Sequence, residues 1–524
     1  MAGEIGQVVA VSDVRMTAAV ALDSAARGPD GLQLGKLMTV AVDGATVVGL
    51  VSALKTSEGD GRHCQVVADL LGEIATGAEG KHFSRGVSSY PALGAPVAIA
   101  DGATADLVYG APDGAHVRIG SLCQDPSRVA YLRTDDLLGR NFAVLGTTGS
   151  GKSCAVTVIL RAVLEAHPNA HIVLLDPHNE YSAAFGDVAE IVNVDTLHLP
   201  CWLLDFEESV GVLVRGGTSD EQETQAAILK DVITQARRKY AGQATGKSDI
   251  TVDTPSPYLF SDLMQLIEQA MGKLANADKS ASFLRLKERL ESLSADRRFS
   301  FLFSGMVTRD DLSQVVGRLL RIPVASKPIT IIDLSGVPSD IVDAIVSMFC
   351  RLTFDVALWA DRTRMPPVLL VCEEAHRYIP ARRGDAFAAA TRAIERIAKE
   401  GRKYGVALGL VTQRPSELSE SALTQCGTIF ALRLNNEVDR NYVENVMPDG
   451  MRGLLEALPA LRRQEAIIVG EGVGVAMRIH FDDLPAGHRP RSMGARFSKA
   501  WGSDEADKGF VDDTIRRWRR QTRE

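Results

Sequence analysis

Short runs of β-branched residues recur between glycines over the first 135 residues or so. Several short strands at close spacing with glycine turns are typical of a small β-barrel. The runs are Gln7–Val11, Met38–Val42, Thr46–Val51, Val66–Leu71, Pro96–Ile99 and, as the last of the pattern, His116–Ile119. The pattern therefore predicts an N-terminal β-barrel over residues 1–135.

A different pattern begins after Arg140. Apolar runs now alternate with longer segments of helical periodicity, as in an α/β domain with a parallel sheet. Such nearly continuous apolar runs fit strands that are buried on both faces. The predicted strands are Phe142–Leu145, Ile172–Leu175, Ile329–Ile332, Val368–Val371 and Ala407–Val411.

The long interval between the second and third of these strands has few strand signals. Leu286, Leu290 and Leu293 stand there at helical spacing among Arg and Lys. We expect a helical insertion over 205–321, which divides the α/β core into 136–204 and 322–485. Residues 486–524 are rich in Arg, Gly, Ser and Asp, and we expect a C-terminal extension that reaches away from the core.

Composition narrows the class of protein. The 524 residues are 45% apolar and 24% charged, as in a folded soluble chain. The sequence predicts no membrane span and no secretory signal, and its seven scattered cysteines favour a reducing, cytoplasmic setting without a disulfide framework or zinc site. The net charge of -8 disfavours a surface that coats nucleic acid everywhere, but it is compatible with a local basic channel.

A phosphate-binding motif stands directly after the first α/β strand. It reads Gly146, Thr147, Thr148, Gly149, Ser150, Gly151, Lys152 and Ser153, the P-loop pattern G-x-x-x-x-G-K-[ST]. The glycines let successive N–H groups face an anion, and the following helix adds its positive end. The strand–loop–helix context makes a turn without a ligand the weaker interpretation. We predict ATP binding, with Lys152 on the β- and γ-phosphates and Ser153 on Mg²⁺.

Two acids, Glu373 and Glu374, end another predicted strand. Phosphoryl transfer needs carboxylates beside the P-loop, one to support Mg²⁺ and one to orient the attacking water. We predict that Glu373 supports the metal, a place usually held by Asp, and that Glu374 polarises the water. The alternative is that the pair only caps the next helix.

Further polar residues follow the second and fifth α/β strands, and ligands of such sheets bind at these strand ends. Asp176–Tyr181 follows one strand and Thr412–Pro415 follows the other. Gln413 is predicted to sense the γ-phosphate, although either segment alone is equally well interpreted as a plain loop. For His178 and His376 we expect ordinary hydrogen bonds rather than metal ligation.

Together these segments resemble the HerA family of the HerA–FtsK ATPases, hexameric motors that translocate on double-stranded DNA. The resemblance rests on residues 146–153, Asp176–Tyr181, Ile332–Gly336, Glu373–His376 and Thr412–Pro415. HerA proteins begin with a small β-barrel and carry a helical insertion, so the resemblance covers nearly the whole chain. It implies an α/β fold, a RecA-like P-loop ATPase core with an N-terminal small β-barrel and a helical insertion.

The resemblance also implies a ring in which one subunit completes the ATP site of the next. An arginine supplied in trans stabilises the charge that develops on the transferred phosphoryl group. Arg402 is our first candidate for this residue and Arg433 the second. Simple surface solvation is the alternative for each.

Double-stranded DNA would pass through the centre of such a ring and be held by its phosphates. Arg377, Arg382 and Arg383 lie in the loop after Glu374, with Tyr378 available and Gly384 for mobility, which makes this loop a candidate for the channel. A merely solvated basic loop is about as good an interpretation. The basic run Arg516–Arg520 is more readily explained as a subunit or partner contact, or as the end of an amphipathic helix.

The leading hypothesis is an ATP-driven, Mg²⁺-dependent DNA translocase or helicase that works as a homohexamer. In the family it resembles, such rings act with a nuclease, NurA in DNA-end processing, or with other effectors in antiphage defence. No nuclease motif is evident in the sequence, so cutting would come from a partner. The alternatives are a conjugation- or secretion-type motor and a ring that serves as an assembly scaffold for an effector, with hydrolysis as a switch.

Overall fold

The structure is a computed structural model of the chain. It describes residues 4–22, 31–56, 63–77, 80–196, 199–244, 249–272, 277–303, 310–382, 388–447, 452–491, 498, 501–502 and 508–520. Within these residues, the first seven strands form one sheet: β1 (Glu4–Val11), β2 (Arg15–Ala21), β3 (Leu37–Val42), β4 (Ala45–Thr56), β5 (His63–Gly77), β6 (Gly80–Arg85) and β7 (Pro96–Ile99).

This sheet closes into a barrel. Its strand order is β2-β1-β7-β3-β4-β5-β6, and β2 also pairs with β5, so that six strands form the ring and β6 extends it. The pairing of the two longest strands, β4 and β5, shifts register between Val48 and Gly49 and again between Val51 and Ala53. Because such irregularities bend a strand, they let β4 and β5 curve around the barrel. The predicted N-terminal barrel is confirmed.

The second sheet carries the α/β core. Its strands are β8 (His116–Leu122), β9 (Val129–Arg133), β10 (Asn141–Leu145), β11 (Ile172–Asp176), β12 (Ala189–Val192), β13 (Ile329–Asp333), β14 (Val368–Cys372), β15 (Val406–Thr412), β16 (Cys426–Leu432), β17 (Glu465–Gly470) and β18 (Met477–Phe481). The order is β12-β13-β11-β14-β15-β10-β16-β17-β18-β8-β9. From β12 to β16 all neighbours are parallel, whereas β17, β18, β8 and β9 continue the sheet in antiparallel pairs.

This arrangement corrects one prediction. The run His116–Ile119 does not belong to the barrel, because β8 pairs with β18 and β9 at the far edge of the α/β sheet. Its alternating burial is that of an antiparallel strand with one exposed face, and the barrel strand β2 has the same alternation. The local pattern therefore could not assign the strand to one sheet or the other.

The parallel strands are buried on both faces, as their apolar runs predicted. Along β10, Ala143 and Leu145 belong to one hydrophobic core, whereas Phe142 and Val144 belong to a second core on the opposite face. This follows from the two-residue period of a strand. The P-loop helix, Lys152–Ala166, packs into the second core, and the helix Val342–Trp359 packs into the first.

Between β12 and β13 the described residues form helices and turns. Leu286 and Leu290 are fully buried there, and Leu293 is 1% exposed, as their helical spacing predicted. The α-helices of this interval are Phe206–Leu213, Ser219–Ala244, Phe260–Gly272, Ala277–Ala295, Ser300–Phe303 and Leu312–Leu320. Those elsewhere in the chain are Gly102–Tyr109, Thr134–Leu138, Lys152–Ala166, Ser182–Phe185, Val342–Trp359, Ala388–Glu400, Glu420–Leu423, Glu437–Val446, Arg452–Leu455 and Lys508–Arg520.

The chain returns to the core after β18. The backbone N–H of Arg491 donates to the carbonyl of Glu180 at 2.9 Å, and the turn Ala486–His488 contacts the helix Ser182–Phe185. The expectation that the chain reaches outward from residue 486 is therefore wrong up to residue 491. The helix Lys508–Arg520 is largely exposed. In the described ranges, no helix combines the length and apolar character that crossing a membrane requires.

Candidate nucleotide site

The P-loop connects the carboxyl end of β10 to the helix Lys152–Ala166. Gly149 and Gly151 adopt φ angles of 78° and 106°, which favour glycine because a side chain is strained there. Ser150 Oγ donates to the carbonyl of Thr147 at 2.7 Å and closes the turn. A Cβ atom at Gly146 would lie 2.8 Å from the Cβ of Leu432. These contacts hold the loop in a curled form.

Lys152 is held inside this curl. Its side chain is 8% exposed, and Nζ donates to the carbonyl of Thr147 at 3.4 Å. Burial lowers the pKa of Lys152, and the carboxylates of Glu373, Glu374 and Glu180 oppose that shift. The structure thus brings both predicted acids, and a third that was not predicted, around the P-loop cation.

Three strand ends meet the P-loop. Ser153 Oγ donates to Glu180 Oε2 at 2.6 Å, in the loop after β11. Thr148 Oγ1 donates to Gln413 Oε1, directly after β15. The N–H and Oγ1 of Thr147 both donate to the carbonyl of Arg433 at 3.0 Å, directly after β16. Parallel strands present their carboxyl ends at one edge of the sheet, which is why these segments converge.

Glu373 lies deepest in the site. It is 3% exposed, and its Oε2 accepts a hydrogen bond from the hydroxyl of Tyr181 at 2.6 Å. Burial raises the pKa of Glu373 to about 8, although the Tyr181 hydroxyl and the Lys152 ammonium lower it. The tyrosine was visible in the sequence but had no predicted role, because it contributes from 192 residues away.

Glu374 turns the chain at the end of β14 with a φ of 52°, the left-handed region that non-glycine residues rarely adopt. Its Oε2 lies 3.2 Å from His376 Nδ1 but forms no hydrogen bond within the described residues. That Nδ1 is also 3.0 Å from Thr412 Oγ1, and burial lowers the pKa of His376. Burial also raises the pKa of Glu374. One carboxylate oxygen is therefore buried beside the P-loop with its acceptor capacity unused.

The loop Asp176–Tyr181 is held by its own first residue. Asp176 is fully buried and accepts from the N–H of Tyr181 at 2.9 Å and from the N–H of His178 at 3.2 Å. Asn179 takes a φ of 54° between them. This tight turn directs Glu180 toward Ser153 and Tyr181 toward Glu373.

The two candidate arginines lie at opposite ends of the sheet. Arg433 follows β16 and adjoins the P-loop of its own chain, where its Nε is buried and has no hydrogen-bond partner within the described residues. Arg402 lies in the turn Gly401–Tyr404, directly before the amino end of β15. Gln413 follows the carboxyl end of the same strand. Arg402 lines a groove of about 750 Å³ with the segment 166–172.

The basic loop is only partly as predicted. Arg377 and Arg382 are exposed. Tyr378 is fully buried, and its carbonyl accepts from Thr391 Oγ1 at 2.7 Å, so its ring is not available to a ligand and the prediction for that residue is wrong. Arg383 and Gly384 lie outside the described residues.

The raised pKa of Glu373 predicts a pH dependence of stability in the nucleotide-free protein. Below its unfolded value near 4.5 both states hold the proton. Between that pH and about 8 only the folded state retains it, so stability falls as pH rises, by up to about 1.4 kcal/mol per pH unit. We expect the Tm of Glu373→Gln, measured by calorimetry, to fall less between pH 5.5 and pH 7.5 than the Tm of the wild type does. Equal losses would mean that another group carries this pH dependence.

Comparison with known proteins shows a similarity to HerA helicases. Residues 117–353 match the family model described as "Helicase HerA, central domain". The DNA double-strand break repair helicase HerA of Pyrococcus furiosus is 26% identical over 405 residues, which are 70% of this chain and 69% of that protein. The protein of the same name from Saccharolobus solfataricus is 26% identical over 433 residues, which are 80% and 79% of the two chains. The chain is therefore similar to HerA helicases over most of its length.

A solved structure shares the fold. VirB4 of Thermoanaerobacter pseudethanolicus superposes with a TM-score of 0.51 at 16% identity, covering 72% of this chain and 98% of that one. The match to the HerA central domain includes the P-loop and the helices between β12 and β13, and it ends before Glu373. The chain is thus a P-loop ATPase with an N-terminal barrel, as its sequence predicted.

Proposed function

We propose that this chain is an ATP-driven, Mg²⁺-dependent translocase or helicase on double-stranded DNA. The observation that carries the proposal is the unused carboxylate oxygen of Glu374, buried at the end of β14 beside the P-loop. A site that only binds nucleotide does not need such an acceptor, whereas hydrolysis needs one to orient water. Duplex DNA is proposed because the two HerA relatives are named for DNA double-strand break repair.

The proposed mechanism divides the reaction among residues at one edge of the sheet. Lys152 and the P-loop N–H groups bind the β- and γ-phosphates, Glu374 orients the attacking water, and Gln413 senses the γ-phosphate through its contact with Thr148. The oxygen donors of Ser153 and Glu373 suit Mg²⁺, which prefers oxygen ligands. When bound, the cation neutralises charge that develops on the phosphate oxygens.

The working unit is proposed to be a hexameric ring in which Arg402 of one subunit completes the site of its neighbour. Exposed Arg377 and Arg382 are proposed to grip DNA phosphates in the channel. A nuclease resembling NurA, or an effector of antiphage defence, would act with the ring.

The first test of this function is the ATPase rate of the purified protein with and without linear duplex DNA over a salt series. Phosphate contacts release counterions, so DNA stimulation should weaken steeply as salt increases. We expect a salt-sensitive rise in turnover. A rate that DNA leaves unchanged at every salt concentration, also after addition of the protein encoded next to it, would contradict a DNA motor.

Glu374→Gln separates a motor from a scaffold. The amide keeps the size of the side chain but cannot take up a proton, so we expect ATP binding to stay within about two-fold while turnover falls about 10²- to 10⁴-fold. Fluorescent-nucleotide titration measures the first and phosphate release the second. Displacement of a triplex-forming strand from duplex DNA should be lost as well.

The matched control is Glu165→Gln, an exposed acid in the last turn of the P-loop helix, which should leave both activities unchanged. If Glu374→Gln abolished hydrolysis but still supported full activity of the effector partner, the scaffold interpretation would replace the motor.

A further inference from the structure

Glu180 is an acid of the nucleotide site for which no role was predicted from the sequence. Its Oε2 accepts the hydroxyl proton of Ser153 at 2.6 Å, a distance typical of a charge-assisted O–H···O⁻ hydrogen bond. It also contributes to the negative field around Lys152, together with Glu373 and Glu374. The P-loop hydroxyl predicted to bind Mg²⁺ is therefore already oriented by a carboxylate.

The backbone around Glu180 is fixed on three sides. Asp176 holds the N–H of Tyr181 on one side of it, and Asn179 makes a left-handed turn on the other. The carbonyl of Glu180 itself accepts the N–H of Arg491 at 2.9 Å, so the segment that returns from β18 braces the loop. The carboxylate is thus presented to Ser153 by a preorganised loop.

Glu373 occupies a different position. Its Oε2 is engaged by the Tyr181 hydroxyl at 2.6 Å, and burial raises its pKa to about 8. Glu180 is less buried and is the residue that hydrogen-bonds to Ser153. A hydroxyl that donates its hydrogen bond to a carboxylate directs its oxygen lone pairs away from that carboxylate. A cation can bind the oxygen through these lone pairs.

We propose that Glu180 is the positioning residue for the Mg²⁺ of the bound nucleotide, acting through the hydroxyl of Ser153. Partners that orient metal ligands strengthen their basicity and fix their direction. Mg²⁺ retains several of its waters in nucleotide sites, so a carboxylate next to a ligand can also receive a hydrogen bond from one of them. The inference rests on the proposed ATPase function but needs neither DNA nor turnover.

The test measures how Mg²⁺ changes the affinity for a fluorescent ATP analogue. In Glu180→Ala we expect the Mg²⁺ concentration for half-maximal binding to rise about 10- to 100-fold, the usual loss when such a partner is removed. Affinity in EDTA should be unchanged or higher, because a negative charge near the phosphates has gone. Glu180→Gln should be intermediate, since its amide oxygen still accepts the hydroxyl proton without the charge.

If Glu180→Ala lost the same nucleotide affinity with Mg²⁺ as in EDTA, the proposal would be overturned, because the loss would indicate a damaged pocket. An unchanged Mg²⁺ requirement would overturn it too. Binding in EDTA also reports that each variant is folded. The assay contains no DNA. The Mg²⁺ effect can therefore be observed even if DNA does not stimulate turnover, and DNA can stimulate turnover even if the Mg²⁺ effect is absent.

A double-mutant cycle with Ser153→Ala tests the route through the hydroxyl. If Glu180 acts through Ser153, adding Glu180→Ala to Ser153→Ala should change the Mg²⁺ requirement less than two-fold, since coupled residues are not additive. If the increases in Mg²⁺ requirement of the two single variants added up fully in the double variant, Glu180 would not act through Ser153. Glu165→Ala, on the exposed last turn of the same helix, is the control for charge removal and should change neither affinity.

Discussion

Lys152→Ala is expected to abolish ATP binding and, with it, all turnover. The ammonium is buried in the curl of the P-loop, where a charge pair at contact distance is worth about 4 kcal/mol at the effective dielectric constant near a protein surface. Losing it should weaken nucleotide binding by at least about 10³-fold. Titration with a fluorescent ATP analogue measures the change directly.

The control for this variant is Lys55→Ala, which removes an exposed lysine from β4 of the barrel. It should bind nucleotide as the wild type does. An unchanged affinity in Lys152→Ala would refute the assigned role of this residue. The alanine variant should remain folded, because Lys152 is a buried cation whose own pKa is lowered by desolvation.

Local patterns predicted the centre of the fold and failed at its edges. The strands β10, β11, β13, β14 and β15 are buried along their whole length, and their nearly continuous apolar runs are typical of strands covered on both faces. The strand β8 alternates buried and exposed residues from His116 to Ile119, as does any strand with one solvent-exposed face. Its partner β18 is more than 350 residues away in the sequence, so no local signal could identify the sheet.

The nucleotide site also contains residues that local sequence predicted and residues that it could not predict. The P-loop is contiguous, and Gln413 contacts it as a residue at the end of a parallel strand should. The hydrogen bond from Tyr181 to Glu373 and the one from Ser153 to Glu180 depend instead on a left-handed turn at Asn179. Asparagine tolerates this conformation, but the sequence does not show that it is used. The burial of Tyr378 likewise depends on tertiary packing, because it lies in one hydrophobic core with residues of the next α-helix, Ala388–Glu400, whose Thr391 donates to its carbonyl.

The position of Arg402 bears on whether it can act in its own subunit. It precedes β15, and the seven residues of that strand extend the chain by about 20 Å before Gln413 at the P-loop edge. An arginine side chain does not cover that distance, so Arg402 can contact a γ-phosphate only on another subunit. Arg433, by contrast, adjoins the P-loop of its own chain. The geometry therefore favours Arg402 over Arg433 for a role in trans.

Arg402→Ala should leave ATP binding intact and reduce turnover about 10³- to 10⁵-fold, the range for removal of an arginine supplied to a phosphoryl-transfer site. Its control is Arg364→Ala, an exposed arginine in the loop before β14. The decisive measurement mixes subunits, by co-expressing Arg402→Ala with Lys152→Ala under two affinity tags and isolating rings that carry both.

Each of these variants is expected to be inactive alone. In a mixed ring, however, an Arg402→Ala subunit keeps a working P-loop, and a neighbouring Lys152→Ala subunit can supply the missing arginine. Turnover should therefore reappear in proportion to the interfaces that pair the two in the productive order. An arginine that acts within its own subunit cannot be replaced in this way, because every subunit of the mixed ring then lacks one essential cation. Mixed rings without activity would therefore rule out Arg402 as the trans residue, while normal turnover in Arg402→Ala alone would exclude it from catalysis altogether.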